Sequence, residues 1–156
     1  QSTAELMSES GAFLVANLVA NNLVRERAEE LGVAAHVLEK NDLVIEGALR
    51  ALEICHARHV PVGCGTGLLG ALMPEQSQEF IYRSAVLSNL EIIRQATLVG
   101  ADILGMTGEL GVIEPGAYAD LLVLERDPLR TLDVFLGQGR EMPVIMAAGS
   151  LHKCTL

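Results

Sequence analysis

Tryptophan is absent and aromatic residues are scarce, with two Tyr and three Phe among 156 residues. Single-stranded nucleic acids are held by stacking bases on aromatic side chains, so that class of ligand finds little support. Basic side chains are also few. Eleven Lys and Arg stand against 20 Asp and Glu, a net charge of −9, and no basic cluster is present to track a phosphate backbone. No nucleic-acid partner is expected. Long apolar runs are missing as well. Phe13 to Val19 is interrupted by Asn17, and Ala119 to Leu124 by Asp120. Both fall far short of the ~20 apolar residues needed to span a bilayer, so no membrane partner is expected either. No basic stretch leads into an apolar leader behind Gln1. Cysteine is sparse and odd in number: Cys55, Cys64 and Cys154, with no CxxC pair. This pattern gives neither a disulfide framework nor a zinc finger, and it favours a reducing, cytoplasmic setting.

What is present is apolar aliphatic character, with 50% of residues hydrophobic, enough to build a core for one domain or parts of two. Ser2 to Ser10 has one apolar side and ends at Gly11, a helix followed by a left-handed stop. The short apolar run from Ala12 to Val19 reads as a strand buried on both faces, as in parallel sheets. Leu23 to Leu31 reads as a solvated helix ending at Gly32. A further helix, capped by Asn41 or Asp42, carries Ile45, Ala48, Leu49, Leu52 and Cys55 on one face. Val60 to Thr66 is then a strand entering a glycine-rich turn. Gln76 to Arg94 reads as one helix with Phe80, Ile81, Val86, Leu87, Leu90 and Ile93 as its buried stripe, and Thr97 caps another that Gly105 stops. Beyond Met106 the texture turns to short apolar runs between Gly and Pro. Glu114-Pro115-Gly116-Ala117 fits a type II turn there. This alternation predicts an α/β fold with a parallel sheet, residues 1–105, followed by a mostly β segment, residues 106–156.

Four segments in order carry a family resemblance: Leu6-Met7 with Gly11 to Val15; His59 to Gly70; Ala96-Thr97, Ala101 and Ile103 to Gly105; and Gly108 to Leu124 followed by Asp127-Pro128-Leu129. Together they resemble the amidohydrolase superfamily, in its imidazolonepropionase-like and Xaa-dipeptidase (prolidase-like) branch, over nearly the whole chain. The resemblance implies the C-terminal portion of a TIM (β/α)8 barrel, about two βα units, followed by strands of a small β-sandwich. Barrel enzymes place their chemistry at the C-terminal strand ends. In this family those ends carry one or two divalent metals, usually zinc, which activate water against a C–N bond. The ligands are an HxH pair on the first strand, often a carboxylated Lys on the fourth, His on the fifth and sixth, and Asp on the eighth.

Mapped onto this chain, Phe13 to Val19 is strand seven and Val60 to Thr66 strand eight. No HxH occurs. Where the family reads Gly-Thr-Asp, this chain reads Gly65-Thr66-Gly67, so the proton-transferring carboxylate has no counterpart. The sequence therefore offers no catalytic residue and no metal ligand, and the chain alone is expected to bind no metal. The substrate-loop candidates are Thr66, Gly67, Gln76 and Glu79, in the loop and helix start after strand eight. The intact enzyme is expected to take a small amide or dipeptide-like substrate. An alternative reading is a catalytically degenerate or truncated paralogue serving as a structural or interaction module. Open strand edges predict self-association, as a homo-oligomer or as aggregate.

Other features have plainer explanations. Gly65-Thr66-Gly67 lacks the Lys that a phosphate loop requires. His56 and His59 suit a helix C-terminus. Cys64 is read as a small core residue, Asp120 as a buried hydrogen-bonding group, and Glu26-Arg27-Glu29-Glu30 as a solvated face.

Overall fold

A computed structural model describes residues 2–156, and the chain divides between Leu87 and Ser88 into two compact units. The first unit opens with helix α1 (Thr3–Ser10). Ser2 and Glu5 form a reciprocal capping box at its start, and Gly11 closes it in the left-handed conformation at φ 67°. Strand β1 (Leu14–Ala16) follows and pairs in parallel with β2 (Val62–Cys64). The register sets Leu14 against Val62, Val15 against Gly63 and Ala16 against Cys64. Parallel strands require a crossover, supplied here by α2 (Val19–Glu26) and α3 (Ala35–Ala57). A short 3₁₀ turn (Gly70–Glu75) and α4 (Gln78–Arg83) complete the unit.

The apolar run after Gly11 thus divides its work. Only three residues are strand, and Leu18 and Val19 turn into α2, where both are buried. Val15 is 48% exposed, so the strand is not covered on both faces within this unit. Val19, Leu23 and Leu68 form a buried cluster joined by Ala20, Leu72 and Tyr82. The expected helix at Leu23 to Leu31 is displaced: α2 starts earlier and ends at Glu26, and turns occupy residues 27–32. Asn41 and Asp42 do not cap α3, which begins six residues before Asn41. Asn41 is buried instead, and its Nδ2 donates to the Asn21 carbonyl at 2.9 Å.

The second unit holds α5 (Asn89–Ala96), α6 (Leu98–Ile103) and a three-stranded antiparallel sheet in the order β3 (Leu121–Val123), β4 (Val144–Ala147), β5 (Ser150–Cys154). The helix expected over Gln76 to Arg94 is therefore two helices. Ser88 ends the continuity by accepting the Glu91 N–H and capping α5. Thr97 lies between α5 and α6, but its hydroxyl donates back to the Ile93 carbonyl at 2.7 Å rather than capping forward. Glu114 to Ala117 closes as expected, with the Ala117 N–H on the Glu114 carbonyl and Gly116 at φ 97°. Asp120 is exposed rather than buried and accepts the Ala148 N–H at 2.6 Å. No helix among the described residues is long and apolar enough to cross a membrane.

One glycine in this unit is held in place twice over. Gly111 sits at φ 73°, and a Cβ there would lie 2.6 Å from the Thr97 carbonyl oxygen. Gly116 has a positive φ but open space around it. Gly111→Ala is expected to cost about 2–3 kcal/mol and Gly116→Ala about 1 kcal/mol. Denaturant titration followed by far-ultraviolet circular dichroism checks the order. Equal losses would show that the Thr97 contact yields freely.

Candidate functional site

The C-terminal ends of β1 and β2 lie side by side, at Ala16 and Cys64. The segment leaving β2 supplies all of the substrate-loop candidates read from the sequence. Thr66 and Gly67 follow β2 directly. The Thr66 hydroxyl accepts the Leu68 N–H at 3.4 Å, a local turn contact. Gly67 has φ 62° and faces the Asn17 side chain, which leaves the end of β1. Gln76 ends the 3₁₀ turn, exposed, with its carbonyl accepting the Glu79 N–H.

Glu79 points the other way. It is fully buried, and so is Arg83 one helical turn later. Glu79 Oε2 accepts the N–H groups of Leu18 and Val19, both at 2.8 Å. Its Oε1 accepts Arg83 Nε at 2.8 Å. The Arg83 guanidinium reaches on to the carbonyls of Ala16, at 2.6 Å, and Gly63, at 3.0 Å. The carboxylate thus sits on the first N–H groups of α2, where negative charge is favoured, and the guanidinium bridges both strands. Burial pushes the Glu79 carboxyl up from the ordinary carboxylate range, while the Val19 N–H, Arg83 and the Leu18 N–H pull it down. Of the four loop candidates, Thr66, Gly67 and Gln76 lie along the chain that leaves β2, whereas the oxygens of Glu79 are engaged with Leu18, Val19 and Arg83.

A second polar set joins the same two segments nearer the surface. Arg27 pairs with Glu75, and Gln78 Nε2 donates to Glu75 Oε2 at 2.7 Å. The Tyr82 hydroxyl shares its one proton between Glu26 and, at 3.2 Å, Gln78 Oε1. Burial and the Glu26 carboxylate push the Tyr82 phenol up, so it stays a donor. The run read as a solvated face therefore has two of its members, Glu26 and Arg27, engaged in this contact.

Cys64 is half-buried at the end of β2, and burial pushes its thiol up. A thiol so shifted is a poor nucleophile at neutral pH. His56 and His59 are both exposed at the end of α3. No group of three His, Cys, Asp or Glu among the described residues could hold a metal ion, and position 67 offers no donor. The described residues thus do not fit a resident metal.

Sequence reasoning missed two residues here. Arg83 could have been found from its i, i+4 spacing to Glu79, but the apolar neighbours Phe80 and Ile81 suggested a different buried stripe. Asn17 appeared only as a break in a hydrophobic run. Arg83→Met strands the Glu79 carboxylate without its cation. It is expected to cost about 3–5 kcal/mol, with Glu79→Gln/Arg83→Met costing less than the two single changes summed. Thermal and urea denaturation of the four proteins measures this. A loss under about 1 kcal/mol for Arg83→Met would mean that the pair is dispensable to the frame.

The family model "Amidohydrolase family" matches residues 2–150. The chain is similar to a solved amidohydrolase, 40% identical with a TM-score of 0.91, over 99% of this chain and 37% of that one. It is similar to a prolidase solved with N-methylphosphonate-L-proline, 39% identical with a TM-score of 0.88, over 97% of this chain and 37% of that one. A Xaa-Pro dipeptidase with bound methionine, 21% identical with a TM-score of 0.77, shares the fold over 96% of this chain and 36% of that one. No curated protein matches. The chain spans little more than a third of the length of these solved relatives, so it corresponds to a portion of their TIM-barrel architecture, with a small antiparallel sheet. With this match over residues 2–150, the chain belongs to the amidohydrolase family.

Proposed function

We propose that this chain forms one side of the mouth of a C–N bond hydrolase acting on a small amide or dipeptide-like substrate. The observation that carries this reading is the pairing of two parallel strand ends, Ala16 and Cys64, with Thr66, Gly67 and Gln76 following one of them along the chain. Barrel enzymes build substrate sites from such strand-to-helix loops. The 39% identity to a prolidase points to the substrate class. In this reading Thr66, Gly67 and Gln76 orient the substrate, and Glu79 and Arg83 hold those loops in register. A divalent metal, zinc by family resemblance, polarises the scissile carbonyl when bound. Its ligands belong to parts of the barrel outside this chain. This chain contributes no carboxylate at position 67 to move a proton, and alone it is inactive.

A second reading is favoured by Gly67 itself: a barrel without this proton carrier, kept as a structural or interaction module. The test compares the whole protein that carries this chain with its Gly67→Asp variant. Both are assayed with added zinc against Xaa-Pro dipeptides and N-acyl amino acids. Positioned general acid–base groups contribute about 10²–10⁴-fold, so Gly67→Asp is expected to raise turnover by about 100-fold or more. Turnover in neither protein would favour the module. Turnover or stoichiometric zinc in the isolated chain would refute its assigned inactivity.

A further inference from the structure

The Asn17 carboxamide holds a fixed place between the two strand ends. It follows the last residue of β1 and is exposed. In the amide orientation that satisfies its neighbours, Nδ2 donates to the Gly65 carbonyl at 3.2 Å and to the Ala16 carbonyl at 3.2 Å. The turn after β2 is shaped around it. A Cβ at Gly65 would collide with the Asn17 carboxamide and lie 2.7 Å from Val15 Cγ1. A Cβ at Gly67 would stand 3.2 Å from the other terminal atom of the same amide.

This geometry sets what Asn17 can offer a ligand. A carboxamide has two N–H donors and one carbonyl oxygen that accepts. Both donors are spent on backbone carbonyls. What remains is the oxygen, an uncharged acceptor turned toward Gly67, where no side chain covers it. Such an atom takes a donor, and in a dipeptide-like ligand the donor beside the scissile carbonyl is the amide N–H.

We propose that Asn17 is a ligand-contacting residue of this barrel mouth, its carboxamide oxygen accepting a hydrogen bond from the secondary-amide N–H of an N-acyl amino acid or dipeptide. The inference rests on the substrate class of the preceding section and narrows it. An amide nitrogen that belongs to proline carries no hydrogen and gains nothing from Asn17. The site therefore favours substrates with a secondary amide over Xaa-Pro dipeptides.

The probes are N-acetylglycine and N-acetylsarcosine, which differ by replacement of the amide hydrogen with a methyl group. Their binding to the whole protein carrying this chain is measured by titration calorimetry, before and after Asn17→Ala. The unmodified protein is expected to prefer N-acetylglycine by about fivefold, the worth of one net hydrogen bond. Asn17→Ala is expected to abolish that preference, so that the two ligands bind alike. A merely structural role would weaken both ligands alike and keep the preference. Equal binding of the two probes by the unmodified protein overturns the role of Asn17 and leaves the substrate class standing. The same preference surviving in Asn17→Ala also overturns it. Binding of neither probe overturns the substrate class, and the inference with it. The comparison within the unmodified protein decides the matter even if Asn17→Ala fails to fold.

Discussion

The buried Glu79–Arg83 pair is the constraint from which the first unit's geometry follows. Two charges removed from water are tolerated only when nearly every polar atom finds a partner. Here the carboxylate takes two backbone N–H groups and the guanidinium nitrogen, and the guanidinium takes a carbonyl from each strand. Each partner belongs to a different place in the chain. Leu18 and Val19 open α2, Ala16 ends β1, and Gly63 lies in β2. Satisfying one ion pair therefore fixes the spacing of the two strand ends, the entry of α2 and the docking of α4 at once. A non-polar pair of similar volume could fill the space, but it could not specify those four backbone positions.

The shallower contacts depend on this frame. Arg27 with Glu75 and Tyr82 with Glu26 join side chains that are partly solvated, and pairs of that kind contribute little individually. They become useful because α2 and α4 are already placed. Tyr82 belongs at the same time to the apolar cluster of Val19, Leu23 and Leu68. Its ring packs and its hydroxyl bonds, so one residue links the core to the polar surface above it. The segment bearing Gln76 is held between Glu75 and Gln78, both engaged. That segment is thus braced through Glu75 and Gln78, while at the loop's start Thr66 is half-buried and Gly67 exposed.

Much of this was legible in the residues, and what was not has physical causes. The signature from Gly108 to Leu124 and the Gly65-Thr66 turn carried the family, and with it the barrel. Local chemistry also read well where it was self-contained: Gly11 stopping α1, and Pro115-Gly116 making its turn. Element boundaries failed where tertiary contacts override local preference. Leu18 and Val19 read as strand, but the Glu79 carboxylate draws their N–H groups into a helix start. Phe80 and Ile81 read as the buried face of a long helix, but the fully buried residues of α4 are Glu79 and Arg83. Hydrophobic periodicity has no means of announcing a buried ion pair, because it scores those residues as surface. Asn17 was hidden for the same reason. A polar residue within an apolar run is ambiguous until its neighbour across the sheet is known.

Under the proposed alignment Gly67 stands where the family resemblance implies Asp, and its surroundings differ from those of Gly65. Gly65 is the more tightly confined, because a Cβ there would force both Val15 and Asn17 to shift. Gly67 is not confined in that way. Its φ of 62° lies in the left-handed region, which Asp and Asn enter more readily than other side chains. Its nearest neighbour, at 3.2 Å, is the end of a side chain rather than backbone. That end need yield only a few tenths of an ångström. The backbone around Gly67 therefore has a conformation that would accept the carboxylate that the family resemblance proposes for this position. Were the loop shaped against a side chain here, position 67 would be crowded or held at an angle closed to Asp. It is neither, so under the proposed alignment a glycine at this strand end leaves the scaffold as it is, and the polar group beside it is the Asn17 amide.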